Sequence, residues 1–237
     1  MSSPRLSDFD ILTFDCYGTL IDWEAGILAA FRTVLDGHGA AADDEVLLEQ
    51  FARFEAQAEG GPYLPYRQVL ARALHGVCAG LGAGSGFEPT VGEAHGFSES
   101  VGDWPAFPDS AAALALLATK FRLGVITNCD TDLFARSNAR LGVQFDWVIT
   151  AQQLGSYKPN PRNFELALEQ IGGPRSRHLH VAQSLYHDHV PAQALGLTTV
   201  WIDRRQGRPG TGATPPAAAT PDFVFGDMAS FAAAAIG

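Results

Sequence analysis

The segment "ILTFDCYGTLID", residues 11–22, decides how the rest of the chain is read. An apolar run ends in a carboxylate, Asp15, and a glycine-threonine turn follows at Gly18 and Thr19. That pattern describes a buried strand that carries an acid to its carboxyl end. Position 17, two residues past the acid, holds a tyrosine. The chemistry to be found is one that uses the first carboxylate without a second beside it.

Five further stretches read as strands of the same kind: "RLGVITN" (122–128), "DWVIT" (146–150), "HLHVA" (178–182), "TTVWID" (198–203) and "FVF" (223–225). Helical patterns such as "DSAAALALLATKF" and "PRNFELALEQIG" lie between them. This alternation predicts an α/β fold, a doubly wound parallel sheet covered by helices. Residues 22–101 break the rhythm and contain no strand pattern. In "EVLLEQFARFEAQAE", Leu47, Leu48, Phe51 and Phe54 fall at helical spacing and read as the interior of a helical unit. The chain is thus divided into a core, 1–21 and 102–237, and an inserted helical cap, 22–101. Within the cap "GLGAGSGFEP" (80–89) reads as a flexible joint, and in the core "RRQGRPGTGATPPAAATPD" (204–222) reads as a solvated connection.

The chain has 237 residues, 46% hydrophobic and 18% charged, enough to bury a large core. Its net charge of −10 argues against nucleic acid or an anionic membrane as partner, yet a local cationic site can still take a small anion. Cys16, Cys78 and Cys129 lack metal-ligand spacing and imply a reducing, cytoplasmic compartment, and Cys16 and Cys129 read as buried fillers beside the motifs. No stretch has the length of a signal core or a membrane span.

Ligands of a parallel sheet bind at the carboxyl ends of its strands. Those ends carry Asp15 with Cys16, Tyr17 and Thr19, then Thr127 and Asn128, then Lys158 in "SYKPNPRNF", then Ser184, His187 and Asp188 in "VAQSLYHD". Each has a plainer reading. Asp15 fits a turn or helix cap, Lys158 a solvated loop, Asp188 the cap of a helix starting at His189, and Tyr17 a packing residue. Their occurrence at successive strand ends in one order favours a common crevice.

"FDCYGTL", "VITN", "SYKPNPRNF" and "VAQSLYHD", in that order, resemble the haloacid dehalogenase superfamily, in particular its type II 2-haloacid dehalogenase branch. The resemblance covers nearly the whole chain. It implies a Rossmann-like core with a helical cap and a hydrolase in which Asp15 attacks substrate. Lys158 and Asp188 complete the catalytic set, and Cys16, Tyr17, Thr19, Thr127, Asn128, Ser184 and His187 contact substrate. Phosphatases of the superfamily carry an acid at position 17, which protonates a departing alkoxide; a halide leaves without that proton. They also read an Asp at the position of Gln183, where it helps hold Mg²⁺. The resemblance therefore implies a metal-independent, cofactor-free dehalogenation of a small 2-halocarboxylate, and allows a homodimer. A phosphatase on a small phosphate ester, hydrolysis at another electrophilic carbon such as that of a strained ring acid, and a non-catalytic binding protein are the alternatives. The family's early cap arginine has no counterpart in "DGHGAAADDE" (36–45); Arg32 and Arg53 are the nearest. Leu185 and His187 replace the family's Asn and Trp.

Overall fold

The computed structural model describes residues 4–81 and 86–237, so residues 82–85 of the expected joint lie outside it. All six expected strands form: β1 (Ile11–Phe14), β2 (Arg122–Thr127), β3 (Trp147–Thr150), β4 (His178–Ala182), β5 (Thr198–Ile202) and β6 (Phe223–Phe225). They make one parallel sheet in the order β3-β2-β1-β4-β5-β6. The chain runs outward from β1 to β3, returns to the other side of β1, and runs outward again to β6. The order reverses between β1 and β4, which is where a doubly wound sheet opens a crevice. Phe14 pairs with both Val125 and Val181, and β2 and β4 run on past it by two residues and one, so Asp15 emerges between its neighbours.

Four helices follow β1: α1 (Trp23–Gly37), α2 (Asp44–Glu59), α3 (Tyr66–Gly80) and α4 (Val91–Glu99). Six more alternate with the later strands: α5 (Ser110–Leu117), α6 (Thr131–Leu141), α7 (Ala151–Leu154), α8 (Pro161–Ile171), α9 (Val190–Ala194) and α10 (Met228–Ile236). The first four pack on one another through Phe31, Phe51, Leu70, Leu74 and Phe97, all buried. The Phe31 ring lies 6.3 Å from Phe51 and 4.8 Å from Phe97. Burying each such ring contributes about 2 kcal/mol.

Three contacts fix these helices over the strand ends. Pro65 at the start of α3 has no capping side chain, and Asp130, just past β2, replaces it. Its carboxylate accepts from Tyr66 N at 2.9 Å and Arg67 N at 3.2 Å. The Tyr157 hydroxyl donates to the Leu64 carbonyl at 2.7 Å. Buried Arg205 pairs with Glu24 of α1 at 2.5 Å and Glu45 of α2 at 2.8 Å. The segment 204–222 is solvated along most of its length, with residues 206–211 exposed, but Arg205, Ala213 and Thr214 depart from that expectation and are buried. Among the described residues no helix is long and apolar enough to cross a membrane.

Candidate active site

Lys158 sits among the strand ends. Its ammonium donates to Asp15 Oδ1 at 2.8 Å, to Asp188 Oδ1 at 2.7 Å and to the Ile126 carbonyl at 2.8 Å, so all three of its protons are spent. Asn128 clamps the Lys158 backbone: its Oδ1 accepts from Lys158 N at 2.8 Å, and its Nδ2 donates to the Lys158 carbonyl at 2.9 Å. The Lys158, Asp15 and Asp188 side chains are 1%, 8% and 0% exposed, so their charges must be matched within the protein. Burial works against ionisation of Asp188, but the Lys158 charge and the His180 N–H outweigh it and hold the carboxyl well below the usual range. Burial likewise opposes the Lys158 charge, and the two carboxylates overcome it and raise its pKa. Asp15 is pushed up by burial, with Lys158 pulling against the rise and Asp188 adding to it. Asp188 is thus the fixed anion and Asp15 the more basic of the two.

A second layer orients this group. His180 Nε2 lies 2.9 Å from Asp188 Oδ1, and its Nδ1 lies 2.9 Å from Thr13 Oγ1. An ionised Asp188 only accepts, so Nε2 carries the proton and the Thr13 hydroxyl donates to Nδ1. Thr19 Oγ1 donates to Asp15 Oδ2 at 2.7 Å and accepts from Gln183 N at 2.9 Å. The turn that brings Thr19 there needs Gly18, whose φ is +91° and where an added Cβ would meet Trp23 Nε1 at 2.9 Å. After β4 the chain makes one π-helical turn, Leu185–His189, a form frequent at functional sites. Ser184 caps it, accepting from His187 N at 2.9 Å, and its Oγ lies 3.1 Å from His187 Nδ1. His187 faces the strand-end crevice, whereas His189 turns back with Nε2 3.0 Å from the Ala182 carbonyl.

The helices close the crevice. Trp23, Glu55, Glu59 and Tyr66 join Asp15, Tyr17, Asn128, Lys158, Ser184, His187 and Asp188 around a cavity of about 30 Å³. An outer pocket of about 350 Å³ shares Glu59 and Lys158 with it. Glu55 and Glu59 lie one turn apart on α2. The Tyr66 hydroxyl donates to Glu55 Oε1 at 2.6 Å. Asn128 Nδ2 lies 3.3 Å from each Glu59 oxygen, and His187 Nε2 lies 3.8 Å from Glu59 Oε2. Burial pushes Glu55 up to about 8. Burial and the neighbouring Glu55 push Glu59 well above the carboxylate range, against Lys158 and Asn128. Burial lowers His187 to about 4, so it is neutral at neutral pH.

A family model described as haloacid dehalogenase-like hydrolase matches residues 9–187. The chain belongs to the haloacid dehalogenase-like hydrolases. It is 26% identical to an (S)-2-haloacid dehalogenase of Pseudomonas putida over 200 residues, 83% of this chain and 85% of that protein. It is 31% identical to the pyrimidine 5'-nucleotidase YjjG of Escherichia coli over 111 residues, 46% of this chain and 49% of that one. The L-2-haloacid dehalogenase of Xanthobacter autotrophicus shares the fold, with a TM-score of 0.75 at 22% identity over 95% of this chain and 97% of that one.

Against this haloacid dehalogenase-like frame the expected residues fall into two groups. Asp15, Lys158 and Asp188 meet at one ammonium, and Tyr17, Asn128, Ser184 and His187 line the same cavity. Thr19 reaches it through Asp15. The Cys16 and Thr127 side chains are not part of the cavity wall, although Thr127 Oγ1 is buried with no partner. The Tyr17 hydroxyl lies 3.1 Å from Ser137 Oγ and accepts from the Cys129 thiol at 3.3 Å. Gln183 turns its side chain away from the cavity, toward Thr214 at 3.5 Å.

The Mg²⁺ of the family's phosphatases fits this donor set poorly. Asp15 and Asp188 share an ammonium, Gln183 points elsewhere, and among the described residues no group of three or more His, Cys, Asp or Glu is disposed to hold a metal. Arg32 pairs with Asp44 at 2.7 Å and Arg53 lies over the Phe54 ring, so neither supplies the family's cap arginine. Glutamates stand on the cap side instead. Sequence reasoning missed Glu55, Glu59 and His180. A signal for the glutamates exists: the buried stripe Leu48, Phe51, Ala52 continues in helical steps to Glu55 and Glu59.

Proposed function

We propose that the chain hydrolyses a small 2-haloacid through an ester on Asp15, without a metal ion. The observation that carries this reading is the Lys158 ammonium fixed between Asp15 and Asp188. It pulls against the burial that raises Asp15 and so favours the carboxylate form, and Thr19 holds its other oxygen, so the attacking lone pair has a set direction. Asp15 displaces halide from C2 and becomes the ester. Halide needs no proton, which agrees with Tyr17. Water held between Asp188 Oδ2 and His187 Nε2, both buried without partners, then attacks Cγ of Asp15 and frees the 2-hydroxy acid. Ser184, Asn128 and the backbone N–H groups after Asp15 receive the substrate carboxylate. That anion is tolerated beside Glu55 and Glu59 because both are held protonated. Similarity to the P. putida enzyme over most of both chains supports the reading.

Single turnover of a 2-bromo acid in H₂¹⁸O, followed by mass spectrometry of the Asp15 peptide, tests it. Label belongs in Asp15, and Asp15→Asn lowers kcat by at least roughly 10³-fold. Label confined to the product would rule out the ester. Activity on phosphate esters that a chelator abolishes and Mg²⁺ restores would establish the phosphatase instead.

A further inference from the structure

Position 17 lacks the acid that the phosphatases use, and α2 brings a carboxyl into the same cavity from the opposite wall. We propose that Glu59 is the leaving-group acid of this site, and that the site therefore accepts atoms more basic than chloride or bromide: fluoride, and the ring oxygen of a small 2,3-epoxy acid. The first step rests on the aspartyl-ester reading; the leaving group goes beyond it.

The geometry leaves Glu59 without a countercharge. Its side chain is 4% exposed. Lys158 shares its cavity, but every Lys158 proton is committed to Asp15, Asp188 or Ile126. The groups facing Glu59 are Glu55 on its own helix, neutral His187 at 3.8 Å, and Asn128, whose Nδ2 makes long contacts of 3.3 Å. The Tyr66 and Tyr157 hydroxyls are spent on Glu55 and Leu64. A buried carboxyl so placed keeps its proton, and burial does push it up. Displacement at C2 drives the leaving atom away from Asp15, off the strand ends and toward the helical wall. Of the two acids there, Glu55 is engaged by Tyr66, whereas Glu59 also lines the outer pocket.

For an epoxy acid the steps balance as follows. An Asp15 oxygen bonds to C2 as the C2–O ring bond breaks. The electron pair goes to the ring oxygen, which takes the Glu59 proton and becomes a hydroxyl. Water then adds its oxygen to Cγ of Asp15, and the ester oxygen leaves with one water proton. The remaining proton passes from Asp15, by way of His187, back to Glu59. The product is a 2,3-dihydroxy acid. With a fluoro acid, Glu59 donates a hydrogen bond to the departing fluoride.

Wild type and Glu59→Gln are compared on 2-bromo-, 2-fluoro- and 2,3-epoxypropanoate. The ratio of bromo to fluoro kcat, and of bromo to epoxy kcat, should rise at least roughly 10-fold to 100-fold in the variant, carried by kcat rather than KM. In wild type, epoxy-acid kcat should fall more steeply at alkaline pH than bromo-acid kcat as Glu59 ionises, beyond the loss that Glu55 and Glu59 impose on every substrate carboxylate; this measurement needs no variant. Equal losses on all three substrates, or the same pH profile for each, would overturn the proposal. Bromide release without any action on the fluoro and epoxy acids overturns it and leaves the haloacid reading standing. Epoxy-acid turnover that depends on Glu59, with every haloacid inert, supports it and ends the haloacid reading.

Discussion

On the strand-end wall of the cavity, Asp15 and Asp188 share one ammonium; on the helical wall, Glu55 and Glu59 have a phenol, an amide and each other. All four side chains are nearly or wholly removed from water. The cation holds Asp188 ionised against burial, and its absence lets burial raise Glu55 to about 8. One functional group thus takes two states a few ångströms apart, and what separates them is where three N–H bonds of one lysine point. Asp15, the proposed nucleophile, stands between the two states, raised by burial and pulled back by Lys158.

The strongest way to break this contrast is Lys158→Met, which gives the strand-end wall the character of the helical one. Two buried carboxylates lose their partner, so stability at pH 7 should fall by about 3–5 kcal/mol and turnover should vanish. Part of the lost stability should return at pH 5 as the carboxyls protonate. Denaturant titrations at both pH values check this; an unchanged difference between variant and wild type would mean that the ammonium does not hold them ionised.

Glu55→Gln sharpens the other side. Because the folded pKa of Glu55 is raised from 4.5 to about 8, the native state binds more protons than the unfolded chain between those values, and stability declines as pH rises through that window. The glutamine keeps the acceptor for Tyr66 and removes the titration. The variant should match wild type near pH 5 and exceed it by roughly 3–4 kcal/mol near pH 8. Parallel stability curves would show that Glu55 titrates normally.

The smallest effect concerns what holds the walls together. Asp130→Ala uncaps α3 and should cost about 1–2 kcal/mol. It should also raise KM more than it lowers kcat for any substrate, because α3 carries Tyr66 in the cavity wall. Unaltered stability would show that the Tyr66 and Arg67 amides find water just as well.

The strand-end wall was legible in sequence, for a physical reason. Short apolar runs report buried parallel strands, and such a sheet gathers its strand ends whatever lies between them, so Asp15, Lys158 and Asp188 could be placed without knowing the loops. The helical wall was not. Glu55 and Glu59 sit on a surface-type helix where glutamate is ordinary, and only tertiary contact with Asn128 and His187 buries Glu59. His180 hides within an apolar strand, its partners Thr13 and Asp188 lying on other segments. Arg205 was misread because a Pro/Gly/Ala-rich loop looks solvated until Glu24 and Glu45 are seen against it.

That last pair bears on how the chain is made. Glu24 and Arg205 are 181 residues apart, and Asp15 and Lys158 are 143 apart. At about 5–20 residues per second, Glu24 emerges from the ribosome roughly 10–40 s before the arginine that neutralises it. During that interval α1 exposes an acid that the finished protein buries, and β1 has its neighbour β2 long before β4. The four helices after β1 can collapse early on their shared phenylalanines and meet Asp130 and Tyr157 as those emerge, yet α1 and α2 acquire their Arg205 anchor only when the carboxyl-terminal third arrives. A nascent chain arrested before Arg205 should thus carry a formed helical unit that is held at α3 but not yet anchored at α1 and α2.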